Sequence, residues 1–191
     1  MKNNIQVNEY FEKYVKDKDH ARQVLKLSML LFDKLNAFAH CFEEKDKQIL
    51  YVGALLHDIG YSFENKVHNK DGRDFILNNN ILDFSLTENI IIACIIRYHR
   101  GKLPKTTHQL FMGLDVDIQK KTALLAGICR LADGLDSAHL GLVDDIELTY
   151  DEDEIFLKII SGSEKIKKKI RVKDKKDLLE VYLQKDITIM V

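Results

Sequence analysis

Apolar residues recur at helical spacing along the first three quarters of the chain. In DKDHARQVLKLSMLLFDKLNAF (residues 17–38), Val24, Leu25, Ser28, Leu31, Phe32 and Leu35 mark one face, with Asp17 or Asp19 placed to cap its start. EKDKQILYVGALLHD (44–58) predicts a second helix, which Gly60 stops. NKDGRDFILNN (69–79), TENIIIACIIRYH (87–99) and DIQKKTALLAGICRLADGLDSAH (117–139) predict three more, and RGKLP ends the middle one. Near residue 143 the period changes to two. Ile146, Leu148 and Tyr150 alternate, DEDE turns the chain, and Ile155, Leu157 and Ile159 alternate again, which predicts a hairpin. KIKKKIRVK (165–173) alternates weakly and predicts a third strand, KKDLLEVYLQKD (175–186) a short helix, and ITIMV (187–191) a last strand. The expected architecture is mainly α: a helical domain over 1–142, then a small α+β tail over 143–191. No internal repeat is evident.

Composition narrows the picture. The 191 residues are 46% hydrophobic and 31% charged, enough for a core and a soluble surface. A net charge of −1 gives no electrostatic reason to expect nucleic acid or a membrane surface. Cys41, Cys94 and Cys129 lack CxxC spacing and sit in apolar contexts, so reduced thiols and a cytoplasmic protein are expected. The N-terminus MKNNIQVNEY is polar, which predicts no signal peptide, and IIIACII (90–96) is too short to span a bilayer. An acidic block (144–154) precedes a basic one (165–176). The blocks read as paired, solvated faces or, for the lysines, as a polyanion surface.

Several polar residues fall on apolar helix faces. His20 lies four residues before Val24 and seven before Leu27. His57 follows Gly53 by one turn and Asp58 follows Ala54, so two small residues leave room for a neighbouring helix. His99 follows Ile92, Ile95 and Ile96, and Asp133 follows Leu125 and Cys129. A single core His is ordinarily a hydrogen-bonded structural residue, and a single core Asp a cap or ion-pair member. Buried carboxylates without partners cost roughly several kcal/mol each. Convergence of His20, His57, Asp58 and Asp133 on one divalent cation would remove that cost. Two imidazoles and two carboxylates suit Mn²⁺, Fe²⁺, Co²⁺, Ni²⁺, Zn²⁺ or Mg²⁺.

The ordered set His20, His57-Asp58, Asp133 resembles the metal signature of the HD-domain metal-dependent phosphohydrolases. HARQVLKLSMLLFDKL, LLHDIGY, ILDFSLTENIIIACIIRYHRGKLPK and RLADGLDSAHLGLVDDIEL are similar to the C-terminal HD region of the exopolyphosphatase / guanosine pentaphosphate phosphohydrolase family, over nearly the whole chain. The resemblance implies an all-helical HD core with a small α+β tail, and His20, His57, Asp58 and Asp133 as metal ligands. It implies His68 and His99 as ligands of a second metal. In KVHNKDGRDFIL, Asn69 and Asp71 stand where relatives often carry histidine, which makes Asp71 a further candidate. Full-length relatives hydrolyse polyphosphate or pentaphosphate in N-terminal actin-like domains, which these residues do not include. That activity is therefore not expected, and the chain reads as a free-standing HD module.

The functional expectation is a metal-dependent phosphohydrolase cleaving a phosphomonoester or phosphodiester of a small, nucleotide-like substrate. Asp58 or Asp136 would accept the proton of the attacking water. Arg97, Arg100 and Lys102 stand beside His99 in sequence. They are candidates for substrate phosphate or else solvated cations at a helix end; Lys70 and Arg73 are candidates for the same task. His139 is expected to be exposed, and His40 and His108 to lie on the surface. The alternative is a regulatory module that binds a nucleotide or polyphosphate-like anion with little turnover. A plainer reading makes the polar cluster a tie between helices. The strand edges of the tail leave pairing into a homo-oligomer open.

Overall fold

The computed structural model describes residues 4–63 and 67–191; the first three residues of the polar N-terminus therefore fall outside the described residues. Helix α1 (Ile5–Tyr14) starts at Asn4, whose side chain accepts from the Val7 amide, and buries Val7 and Phe11. The sequence reading resolved no separate helix there. Helix α2 (Lys18–Ala39) begins at Asp17, not Asp19: the Asp17 side chain accepts from the His20 amide. Its buried stripe runs from His20 through Val24, Leu27, Leu31 and Leu35.

Helix α3 (Glu44–Leu55) ends earlier than the pattern predicts, with Leu56 as its C-cap. His57 and Asp58 therefore stand on a turn between α3 and a 3₁₀ segment, Ile59–Ser62, not within a helix. Gly60 is needed for packing, not for a left-handed stop. A Cβ there would sit 1.8 Å from the His68 carbonyl oxygen, in the first turn of α4 (His68–Asn79). Gly53 does make room as expected: a Cβ would meet Ile95 Cγ2 at 2.6 Å. Ile95 belongs to α5 (Leu86–Tyr98), which Ser85 and Glu88 open as a capping box. After the one-turn α6 (Gln109–Met112), α7 (Val116–Leu135) runs through the core and stops at Asp136, short of the predicted His139.

The tail forms the predicted hairpin, β1 (Asp145–Tyr150) antiparallel to β2 (Glu154–Ile160), with the Asp151 side chain bonding the turn amides of Asp153 and Glu154. The predicted strand over 165–173 is not one. Ile166 is buried in a 3₁₀ turn, Ile166–Lys168, and the Arg171 amide donates to Gly134 O at the end of α7. That anchor removes the segment from the sheet. The crossover continues through α8 (Asp177–Leu183) to β3 (Asp186–Met190), which pairs parallel to β2. Leu179 of α8 packs so closely on Gly127 that a Cβ there would lie 2.8 Å from its Cγ. Arg130, buried in α7, forks onto Asp177 at 2.7 and 2.9 Å. One apolar core includes Leu31, Leu50, Ile95 and Ile128 of the helices and Ile146, Ile155 and Leu178 of the tail. The chain is thus mainly α with a small three-stranded sheet near its C-terminus.

Candidate metal centre

Capping by Asp17 places His20 in the first turn of α2, facing inward with 2% of its surface exposed. Its Nδ1 lies 2.8 Å from Asp136 Oδ2, and its Nε2 points toward Asp133 Oδ1 at 3.4 Å and Asp58 Oδ2 at 3.9 Å. His57 is fully buried. Its Nδ1–H donates to Ala54 O at 2.8 Å, so in the neutral ring Nε2 carries the lone pair; Nε2 aims at Asp58 Oδ2, 3.4 Å away. His99 repeats the device: Nδ1 bonds Ile96 O at 2.7 Å and Nε2 faces Asp58 Oδ1 at 3.5 Å. His68 Nε2 also lies 3.5 Å from Asp58 Oδ1.

Asp58 thus stands between two groups. Its Oδ2 faces His20 and His57, and its Oδ1 faces His68 and His99. In each group the ligand-type atoms lie within 4.8 Å of one another. The buried Nε2 atoms of His20 and His57 have no hydrogen-bond partner among the described residues. Orphaned imidazole nitrogens aimed at a shared carboxylate are the arrangement a cation would complete. Asp58 and Asp133 retain 13% and 16% of their side-chain exposure, so the cluster opens to solvent at the carboxylates.

The charges follow from this geometry. Burial pushes His20 down, but the neighbouring Asp133 and Asp136 carboxylates and the nearby Asp58 charge override it and raise His20 to about 9. Burial works the same way on His57, and the Asp58 charge reverses it, a net rise. Burial, then the His57 charge, drives His99 down to about 3, so this imidazole is neutral and its nitrogen free to ligate. Burial also lowers His68. Asp58 and Asp133 are raised by burial but pulled below the ordinary carboxylate range overall, Asp58 by the His57 charge and Asp133 by the neighbouring His20.

Asp136, a candidate proton acceptor, lies on the far side of the His20 ring from Asp58 and Asp133. Its Oδ2 holds His20 Nδ1, while Oδ1 accepts from the amides of Leu140 and Gly141 at 3.2 and 2.8 Å. The His20 ring separates it from the cluster. Asp71 joins neither group; its Oδ2 is buried without a partner among the described residues.

Of the five cations singled out as phosphate-binding candidates, only Arg100 reaches the rim. Its Nη1 lies 3.2 Å from the Tyr61 hydroxyl and 3.4 Å from His68 Nε2. Lys102 is exposed. Lys70, Arg73 and Arg97 are not brought to the cluster; they line a separate cleft. Two residues along a helix is a rotation of about 200°, so Arg97 faces away from His99 and Lys70 away from His68.

Three contacts were missed. Lys175, one lysine in a basic run, donates to Asp133 Oδ2 and to His99 O at 3.2 Å, and nothing local distinguishes it from its neighbours. Tyr61 stacks on His68 at 3.9 Å; its place directly after the HDIG turn was the available signal. His139 is exposed as expected, yet its ring lies flat on His20 at 3.7 Å and its Nδ1 meets Asp17 Oδ2 at 2.8 Å. His40 is exposed, whereas His108 is half-buried against Tyr98.

Fold and site together define a helical domain that gathers imidazoles and carboxylates from α2, the α3–α4 turn, α4, the end of α5 and α7 around Asp58. A family model described as Ppx/GppA phosphatase, domain III, matches residues 4–185, and the chain belongs to that family. No curated protein matches it significantly. The sequence similarity to this family is thereby borne out, and it relates the chain to phosphatases. Among the described residues no helix is long and apolar enough to cross a membrane.

Proposed function

We propose that this chain is an HD-type, metal-dependent phosphohydrolase acting on a small phosphorylated, nucleotide-like substrate. The observation that carries the reading is the pair of orphaned, buried Nε2 atoms of His20 and His57 facing Asp58. His20, His57, Asp58 and Asp133 would hold one divalent cation, with Asp58 shared toward a second held by His68 and His99. The donor set fits. The imidazoles of His57 and His99 are fixed by backbone carbonyls with Nε2 turned inward, and three carboxylates with little or no solvent exposure have Lys175 as the one lysine or arginine paired with them among the described residues. A bound cation of this class polarises a phosphoryl oxygen and lowers the pKa of a coordinated water.

The protein's own groups supply the rest. Asp136 and Ala54 O fix the ligand rings. Both oxygens of Asp58 face imidazoles, so this carboxylate would serve as a metal ligand more readily than as a free base. Arg100 stands at the mouth beside Tyr61, where its fork can meet a substrate phosphate. Free Cys41, Cys94 and Cys129 support a reducing, cytoplasmic setting.

Hydrolysis of a phosphoester panel with Mn²⁺, Fe²⁺, Co²⁺, Ni²⁺, Zn²⁺ and Mg²⁺ supplied in turn tests the reading. Turnover that vanishes in a folded Asp58→Ala variant is expected. No turnover with any metal, alongside tight nucleotide binding, would replace the enzyme by a regulatory binding module.

A further inference from the structure

A cleft of about 340 Å³ opens on the face of α4 and α5 turned away from the His/Asp cluster. Its volume lies in the range of roughly 300–1,000 Å³ typical of small-molecule sites. Lys70, Arg73 and Arg97 line it, together with Thr107, His108 and Gln109. The helical register explains the gathering: Lys70 and Arg73 are three apart on α4, and Arg97 closes the last turn of α5.

The charge in this cleft is under-neutralised. Arg73 pairs with Asp74 at 2.7 Å, whereas Arg97 and Lys70 have no carboxylate partner among the described residues. Arg97 is half-buried, and burial lowers its guanidinium, with Arg73 beside it adding to the effect. A cation in that position gains from an anion more than a solvated one does. Across the cleft, the Lys105 amide donates to His108 Nδ1 at 3.3 Å and the Tyr98 hydroxyl lies 2.9 Å from the same atom. With Nδ1 accepting, the ring proton sits on Nε2 and His108 is a donor. Burial lowers His108, and the charges of Arg97, Lys105, Arg73 and Lys70 each push it further down. Thr107 and Gln109 add neutral donors.

We propose that this cleft is a second anion site that takes a pyrophosphate-class group, apart from the His/Asp centre. Lys70 and Arg97, without carboxylate partners, match an anion of more than one charge, and the Arg97 fork suits phosphate oxygens; Arg73, whose Nε and Nη2 bond Asp74, has only its remaining donors to add. The site needs no metal.

Calorimetric titration of the chelator-treated full chain with sodium pyrophosphate tests this, with sulfate at equal ionic strength as comparator. Pyrophosphate is expected to bind without metal and more tightly than sulfate. Arg97→Gln should weaken it roughly ten- to a hundredfold, while Asp58→Asn leaves it unchanged. In the wild type, NMR should show the His108 ring shifting on titration with His57 and His99 unmoved, a readout that holds even where a variant folds poorly. Absence of binding, equal affinity for sulfate, loss in Asp58→Asn with retention in Arg97→Gln, or shifts confined to His57 and His99 would each overturn the proposal.

Discussion

Replacing Asp136 by Asn separates positioning of the ligands from proton transfer. The carboxylate accepts three hydrogen bonds, from His20 Nδ1 at 2.8 Å and from the Leu140 and Gly141 amides at 3.2 and 2.8 Å. Asn keeps an oxygen for the two amides, but its NH₂ then faces His20 Nδ1. That amide donates where the carboxylate accepted, so the ring proton moves to Nε2, the atom that faces Asp58 and Asp133. One charge-assisted hydrogen bond is worth about 1.5–3 kcal/mol, and loss of a partner that orients a metal ligand costs about 10- to 100-fold in affinity. Competition against a chelator of known affinity, with melting curves to confirm folding, measures the effect. Metal affinity should fall within that range while kcat at saturating metal changes little. Unchanged affinity with a collapsed kcat, and loss of one limb of the pH–rate profile, would make Asp136 a proton acceptor and refute the positioning role.

Two further outcomes follow from the same geometry. In the metal-free protein His20 is raised to about 9 by its carboxylates. Its contribution to stability is therefore complete below the ordinary value of about 6.5 and is lost as pH rises through about 9. The stability gap between wild type and His20→Gln should shrink over that window in urea unfolding, while metal affinity rises as the competing proton leaves; a gap that grows with pH would contradict this. Gly60→Ala puts a Cβ 1.8 Å from His68 O. It should cost about 3 kcal/mol or more in urea unfolding and weaken metal binding through His68; a loss under ~1 kcal/mol would show that the contact yields easily.

The four principal ligand candidates were legible because a polar residue on an apolar face has few reasons to be there. His20, His57, Asp58 and Asp133 each broke a helical stripe, and they meet in space. Their local setting was less legible. The turn at His57-Asp58 comes from α3 ending at Leu55, and Gly60 owes its place to the backbone of α4, a contact between segments that no short window contains. The 165–173 segment has weak strand alternation, but its Ile166 goes to the core and Arg171 to α7. Lys175 reaches Asp133 only because α8 docks on α7. The separation of Arg97 from His99 was available in the helical period; adjacency along the chain obscured it.

Metal content per chain, measured by elemental mass spectrometry after reconstitution with each cation and exhaustive dialysis, addresses the shared Asp58 most directly. Two ions per wild-type chain are expected, with one lost in His99→Ala and both in Asp58→Ala. No stoichiometric metal with any cation, in a protein that is folded, would reduce the cluster to a polar tie between helices.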